Sequence, residues 1–341
     1  MVISVLCAVG YLGSLVPSYG ATVADLALGL AAGLAPLPVL LGVVLAIDQL
    51  AQKPRLHLAF AFVCGAGTAL VASVVVTGWL TPDGRAVLTP AVEEVAKGAV
   101  LGWLLWRRKG AITTLTDGIV YAAMAGLGFA AVESAGHHLA VFARGGQGDL
   151  LHAFVQHGLG SGIAHPLWSA LLGLGAGYAA VSRSRTSVLI VPLYGTAAVL
   201  LHSLWNHAIL SVPTGHAPVA GERAVSVACA AAVIVLAGAI TAEHRGLVAA
   251  IGRHLPRYQP TGLVTPRDIA MLSSPHGRWQ ALHHARRLGA GPAMADYQRA
   301  ATELVILSRQ AERGAAPPGD QVAERLAAMS QARAALRAAA L

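Results

Sequence analysis

Residues 91–106 read Ala-Val-Glu-Glu-Val-Ala-Lys-Gly-Ala-Val-Leu-Gly-Trp-Leu-Leu-Trp. The stretch is apolar except for Glu93, Glu94 and Lys97. A charge near the centre of a membrane helix costs roughly 2.5–3.5 kcal/mol, so three unpaired ones would cost about 8–10 kcal/mol. Pairing lowers that cost, because Lys97 lies four residues from Glu93 and three from Glu94 and can reach either carboxylate along one helical face. The two glutamates are about 100° apart around a helix, so one can pair while the other faces a cavity. Taken alone, the segment could also be an extramembrane loop or a buried ion-pair lock. Its surroundings favour a membrane span.

Apolar runs long enough to cross a bilayer recur along the first 240 of the 341 residues. The chain is 55% hydrophobic and 12% charged, with a mean hydropathy of +0.62. Soluble domains carry roughly 25% charged residues, so disorder and a wholly water-exposed globule are both excluded. The sequence predicts an all-α, polytopic transmembrane helix bundle. About eight spans are expected near 1–18, 22–47, 58–79, 91–106, 115–138, 160–181, 188–211 and 225–243. Residues 1–243 form the membrane-embedded domain and 244–341 a helical tail. The first base is Lys53, so residues 1–16 lack the basic start of a cleaved signal peptide and are expected to stay as a span.

Lys53, Arg55, Arg107, Arg108, Lys109, Arg183 and Arg185 fall on one side of these spans. Arg85, Arg144 and Arg223 fall on the other, each near an acid (Asp83, Asp149, Glu222). The positive-inside rule then places both termini in the cytoplasm. Residues 244–341 hold 13 Arg, no Lys and 6 acids, so most of the net charge of +8 belongs to the tail. Its bases are dispersed among alanines. That suits anionic lipid on the cytoplasmic side and argues against nucleic acid. Pro256, Pro260, Pro266 and Pro275 predict a linker, followed by helices near 276–288, 292–313 and 319–340. Cys7, Cys64 and Cys229 each stand alone in an apolar run and predict no disulfide.

Further polar residues sit inside predicted spans. Glu133 closes Gly126-Leu-Gly-Phe129-Ala-Ala-Val-Glu133, where Phe129 and Glu133 share a face and the glycines permit close helix approach. His165 precedes Pro166 in His-Pro-Leu-Trp168, so it is expected outside the helical region, at a broken entry to the sixth span. His202 and Asn206 lie four apart in His-Ser-Leu-Trp205-Asn206. Singly, each histidine could be a satisfied core residue. Jointly, three carboxylates, two histidines, an asparagine and a lysine on four apolar segments predict a convergent polar site. His137, His138, His152, His157 and His216 are read as surface residues, and Asp117 as a helix-start residue.

The order EExxK (Glu93, Glu94, Lys97), GxGFAxxE (Gly126 to Glu133), HPLW (His165 to Trp168) and HxLWN (His202 to Asn206) resembles the PrsW family of intramembrane proteases. That family shares a superfamily with CAAX-processing prenyl proteases and the Aph subunit of gamma-secretase. The resemblance spans about residues 22–243. CAAX proteases carry EExxxR and FxxxH; here Lys97 comes one position earlier and Glu133 stands where their His does, which favours the PrsW side. The resemblance implies a bacterial cytoplasmic-membrane enzyme that cuts single-pass membrane proteins, such as anti-sigma factors, near the outer face. It also makes Glu93 the base, with Glu94 orienting through Lys97.

Peptide hydrolysis needs a water, a base, an acid for the leaving amine and an oxyanion stabiliser. Glu93 or Glu94 with Glu133 could activate water, and His202 with Asn206 could stabilise the oxyanion. His165 could orient the water, while Lys97, Phe129, Trp168 and Trp205 support. No HExxH occurs, so a glutamate mechanism without metal or other cofactor is the reading preferred here. Zinc held by Glu93, Glu133, His165 and His202 is the alternative. Rival functions are a non-catalytic membrane scaffold, a CAAX-type prenyl endopeptidase and a proton-coupled transporter; the last is disfavoured by the lack of an internal repeat. Oligomeric state is not legible.

Overall fold

The computed structural model describes residues 1–49, 51, 53–107, 110–144, 154–182, 185–207, 220–314 and 319–339; side chains at 82, 83, 85–87, 156–158, 161, 185 and 220–222 are not described. Arg108, Lys109, Asp149, His152, Arg183 and His216 therefore lie outside the described residues, as do the side chains of Asp83, Arg85, His157, Arg185 and Glu222. Every regular element among the described residues is helical.

The first unit comprises residues 1–47 and 53–239. Its helices are α1 (Val2–Tyr19), α2 (Val23–Leu34), α3 (Leu37–Ile47), α4 (Arg55–Cys64), α5 (Leu70–Gly78), α6 (Pro82–Arg107), α7 (Leu115–Ala143), α8 (Ser161–Val181), α9 (Ile190–Trp205) and the start of α10 (Ala220–His254). Among the described residues, six stretches are long and apolar enough to cross a membrane: Val2–Tyr19, Val23–Ile47, Arg55–Gly78, Leu115–Ala143, Thr186–Trp205 and Arg223–Tyr258. At the other two expected spans stand α6 and α8. The protein is a polytopic all-α bundle.

Helix α7 is the hub, buried on every side from Thr116 to Ala131. Its neighbours come close because α7 presents glycines at the crossings, met by glycine in turn at Gly118. A Cβ on Gly128 would lie 1.9 Å from the Phe62 carbonyl oxygen of α4, and one on Gly118 2.1 Å from that of Gly173 in α8. One on Gly126 would lie 2.7 Å from the His165 oxygen. The glycines of the GxGFAxxE stretch are therefore packing requirements. Thr114 caps α7 in a reciprocal box with Asp117, as a helix-start residue should. Asp117 also takes an ion pair from Lys53 at 2.6 Å, both side chains being buried. Lys53 is thus no loop-surface base; it ties the chain before α4 to the start of α7.

Three local expectations need correction. His165 and Pro166 lie inside α8, preceded by a π-helical turn at Phe154–Gly160. Pro166 lacks only the N–H that would reach Gly162, near the helix start, and the wide turn and glycines ahead of it leave room for the ring. His138 is buried, because α7 runs on to Ala143; Nδ1 donates to the Ser134 carbonyl at 2.7 Å. His137 is exposed, as read. The proposed linker is largely ordered: α10 continues to His254, and α11 (Pro266–Leu272) opens with Thr265 and Asp268 in a capping box.

The second unit comprises residues 48–52 and 240–341. After α11 come α12 (Pro275–Arg287), α13 (Gly291–Glu312) and α14 (Gly319–Ala338). Leu247, Ile251, Leu255, Leu272, Tyr297, Leu304, Val305 and Met329 form its core. Arg278 is buried, with Nε on the Leu272 carbonyl at 2.8 Å and a terminal nitrogen on Thr302 Oγ1 at 2.7 Å; burial brings its guanidinium down to about 10. Arg333 binds the Leu263 carbonyl, Asp268 and the Tyr297 hydroxyl, which itself donates to Leu263.

Candidate active site

Four helices bring the site together: α6 supplies Glu93, Glu94 and Lys97, α8 supplies His165, and α9 supplies His202. Glu133 joins from α7. Lys97 Nζ donates to Glu94 Oε1 at 2.6 Å and lies 4.5 Å from the Phe129 ring centre. Of the two carboxylates within its reach, Lys97 thus takes Glu94. Glu93 is turned towards the histidines.

The hydrogen bonds fix the histidine tautomers. An ammonium has donors only, so at 2.9 Å from Lys97 Nζ the His165 Nδ1 accepts. Its proton is then on Nε2 and is donated to Glu133 Oε2 at 2.6 Å. His202 Nδ1 stands 3.0 Å from Glu94 Oε1 and donates to it; in the neutral ring that leaves a lone pair on Nε2. That lone pair faces Glu93 Oε2 at 3.6 Å, and His165 Nδ1 is 4.0 Å from the same oxygen. Two acceptors facing each other in a buried site repel unless a proton or a cation lies between them. Glu93 Oε2 has no hydrogen-bond partner among the described residues, and nor does Glu94 Oε2.

Charge leads to the same place. Glu93, Glu94 and Lys97 are buried, and Glu133 is mostly so. Three ionised carboxylates against one ammonium leave two negative charges in a low-dielectric interior, which calls for protons or a divalent cation.

One donor atom each from Glu93, His165 and His202 lies within 4.8 Å of the others. Ligands in a tetrahedral zinc site, with bonds of about 2.0–2.2 Å, stand roughly 3.3–3.6 Å apart. The observed 3.6 and 4.0 Å to Glu93 are only slightly more open. Two imidazoles and a carboxylate are also a donor set that zinc takes. Glu94 behind His202 and Glu133 behind His165 are carboxylates placed as orienting partners of the rings. A metal bound at His165 Nδ1 would displace the Lys97 hydrogen bond there; with that exchange the residues fit a metal, and Glu133 stands behind the trio instead of within it.

Asn206 follows α9 as its cap residue, one turn beyond His202, and is half-buried. Trp168 and Trp205 pack edge to face at 6.3 Å, and neither indole N–H has a partner among the described residues. Sequence reading missed Tyr11. Its hydroxyl would lie 3.2 Å from a Cβ on Gly136, one turn past Glu133. No spacing signal links α1 to that turn.

A bundle of membrane-length helices enclosing a carboxylate–histidine site of this kind defines a polytopic membrane peptidase. A family model described as PrsW family intramembrane metalloprotease matches residues 53–239, more than half the chain, and the protein belongs to that family. No curated protein and no solved structure matches it.

Proposed function

We propose that the protein is an intramembrane endopeptidase that hydrolyses a peptide bond of single-pass membrane proteins of the anti-sigma-factor type. The observation that carries this reading is the buried, unpartnered Glu93 Oε2, which stands 3.6 Å from His202 Nε2. In this reading Glu93 removes a proton from the attacking water and returns it to the leaving amine. Glu94, held by Lys97, fixes the tautomer and direction of His202. Glu133 does the same for His165. The Nδ1 proton of His202 is committed to Glu94, so Asn206 and the indole N–H of Trp205 supply the oxyanion donors in place of His202.

A metal, if carried, would be held by Glu93, His165 and His202, and would supply Lewis acidity and a water of lowered pKa. A purely glutamate-based mechanism uses the same residues, and metal content separates the two. The base distribution supports cytoplasmic termini in a bacterial cytoplasmic membrane, with the site in the outer half. The test is cleavage of single-pass baits in cells by the wild type, Glu93→Gln and His202→Ala, each matched for expression. Cleavage by the wild type alone supports the reading; equal cleavage by a folded Glu93→Gln variant removes it. No cleavage of any bait raises the scaffold alternative.

A further inference from the structure

The second unit lies beyond the matched family region, and one of its helices differs from the rest. Among the described residues of that unit, Trp279 (59% exposed) and Leu288 (48%) are the large hydrophobics that remain exposed. Both belong to α12 or the residue that caps it. The helix is firmly seated from behind. Arg278 and Ala285 are buried, Gln298 donates to the Arg278 carbonyl at 3.0 Å, and Ser274 caps the N-terminus. Its outward face is therefore presented on a fixed scaffold.

That face carries His276, Trp279 and His283, spaced at i, i+3 and i+7. The rings stack, with centres 6.2 and 5.3 Å apart and planes within 19° and 10° of parallel. Exposed His284, Arg286 and Arg287 continue it, and neither arginine has an ion-pair partner among the described residues. No Asp or Glu occurs between Asp268 and Asp296. The surface is thus a rigid aromatic ridge ending in unneutralised cations, in a stretch free of acids.

We infer that α12 docks on an anionic lipid surface, with Trp279 at the headgroup level and Arg286 and Arg287 on lipid phosphates. Indoles favour the membrane interface, and each Arg near an anionic leaflet adds to binding. The unit also follows a membrane-length helix directly. The membrane-length stretch Arg223–Tyr258 runs on into this unit, whose core includes Leu247, Ile251 and Leu255 of that stretch, and this holds α12 at high local concentration by the bilayer. Arginines can also take an acidic peptide; the covalent continuity with a membrane-length helix favours lipid, and protection in lipid-free detergent is the outcome that would point to protein. This inference is independent of the peptidase reading.

The test uses the full chain with 5-fluorotryptophan, in nanodiscs of phosphatidylcholine alone or with phosphatidylglycerol. The Trp279 signal is the one lost in Trp279→Phe, and its broadening by a water-soluble gadolinium chelate reports exposure. Two arginines at an anionic surface should shift the docked-to-free ratio roughly thirtyfold. Broadening is therefore expected to fall in the anionic discs and to return in high salt or in Arg286→Glu/Arg287→Glu. Equal broadening in both lipids overturns the inference. So does protection that persists in the charge-reversed variant or in lipid-free detergent, which would mean that protein covers the ridge.

Discussion

Replacing Gly126 by alanine probes how the fold holds the site. The added Cβ would stand 2.7 Å from the His165 carbonyl oxygen and 2.8 Å from Pro166 Cα. Favourable contacts between carbon atoms lie at about 3.5–4.0 Å, and backbone atoms cannot swing aside as a side-chain tip can. Helices α7 and α8 must separate by several tenths of an ångström, at a cost of roughly 1–3 kcal/mol. His165 moves with its backbone, away from Lys97 and Glu133. Misplacing a reacting group by about 1 Å can cost 100-fold, so bait cleavage should fall roughly 10- to 100-fold while the protein still folds. The control is Gly102→Ala on α6, where a Cβ meets nothing within 4 Å. That change should preserve cleavage and leave stability unchanged or raised by up to about 1 kcal/mol. Thermal unfolding in detergent and cleavage of a membrane bait read both effects. Wild-type cleavage by Gly126→Ala, or equal loss in both variants, would refute the reasoning.

Removing Glu94 leaves Lys97 buried without its carboxylate, so Glu94→Ala should destabilise the bundle by about 3–5 kcal/mol as well as stop cleavage. Lys53→Met should destabilise by less, about 1–3 kcal/mol in unfolding scans, because Asp117 keeps its hydrogen bonds from Thr113 and Thr114 at the start of α7. In the second unit, burial opposes ionisation of Asp268, but hydrogen bonds from Thr265 and Arg333 outweigh it and hold its carboxyl below the usual 3.8. Its stabilising effect is therefore complete above pH 4 and lost as pH falls further. Arg333→Met should remove part of that acid sensitivity, followed by hydrogen exchange over 263–300. If the Glu93, His165 and His202 trio holds zinc, purified protein will contain it by elemental analysis, and His202→Ala will lower the content by at least about tenfold.

Much of the bundle was legible, because a span needs only a long apolar run and the run is local. The polar residues stood out for the same reason: Glu93, Glu94, Lys97 and Glu133 are costly where they are. Spacing could not choose between Glu93 and Glu94 as the partner of Lys97, since both are within helical reach. The choice depends on His202, 108 residues from Glu94. The metal-competent trio was equally hidden. HExxH is recognisable because one helix presents two ligands, whereas Glu93, His165 and His202 come from three helices. The Lys53–Asp117 pair also joins distant segments, and Lys53 read as an ordinary loop base. Two misses were local. His138 looked like a surface residue because α7 was ended too early, and α11 went unread although Thr265-Pro266-Arg267-Asp268 carries a cap, a first-turn proline and a capping-box acid.

The central claim is that the Glu93-centred cluster hydrolyses peptide bonds in the membrane. Its most direct test is cleavage of a single-pass bait by the purified chain in proteoliposomes prepared in ¹⁸O water, beside a Glu93→Gln variant of equal thermal stability. The account predicts ¹⁸O in the new C-terminal carboxyl of the wild-type product, and a rate in the variant lower by about 100- to 10,000-fold. An equal rate from the folded variant would contradict it.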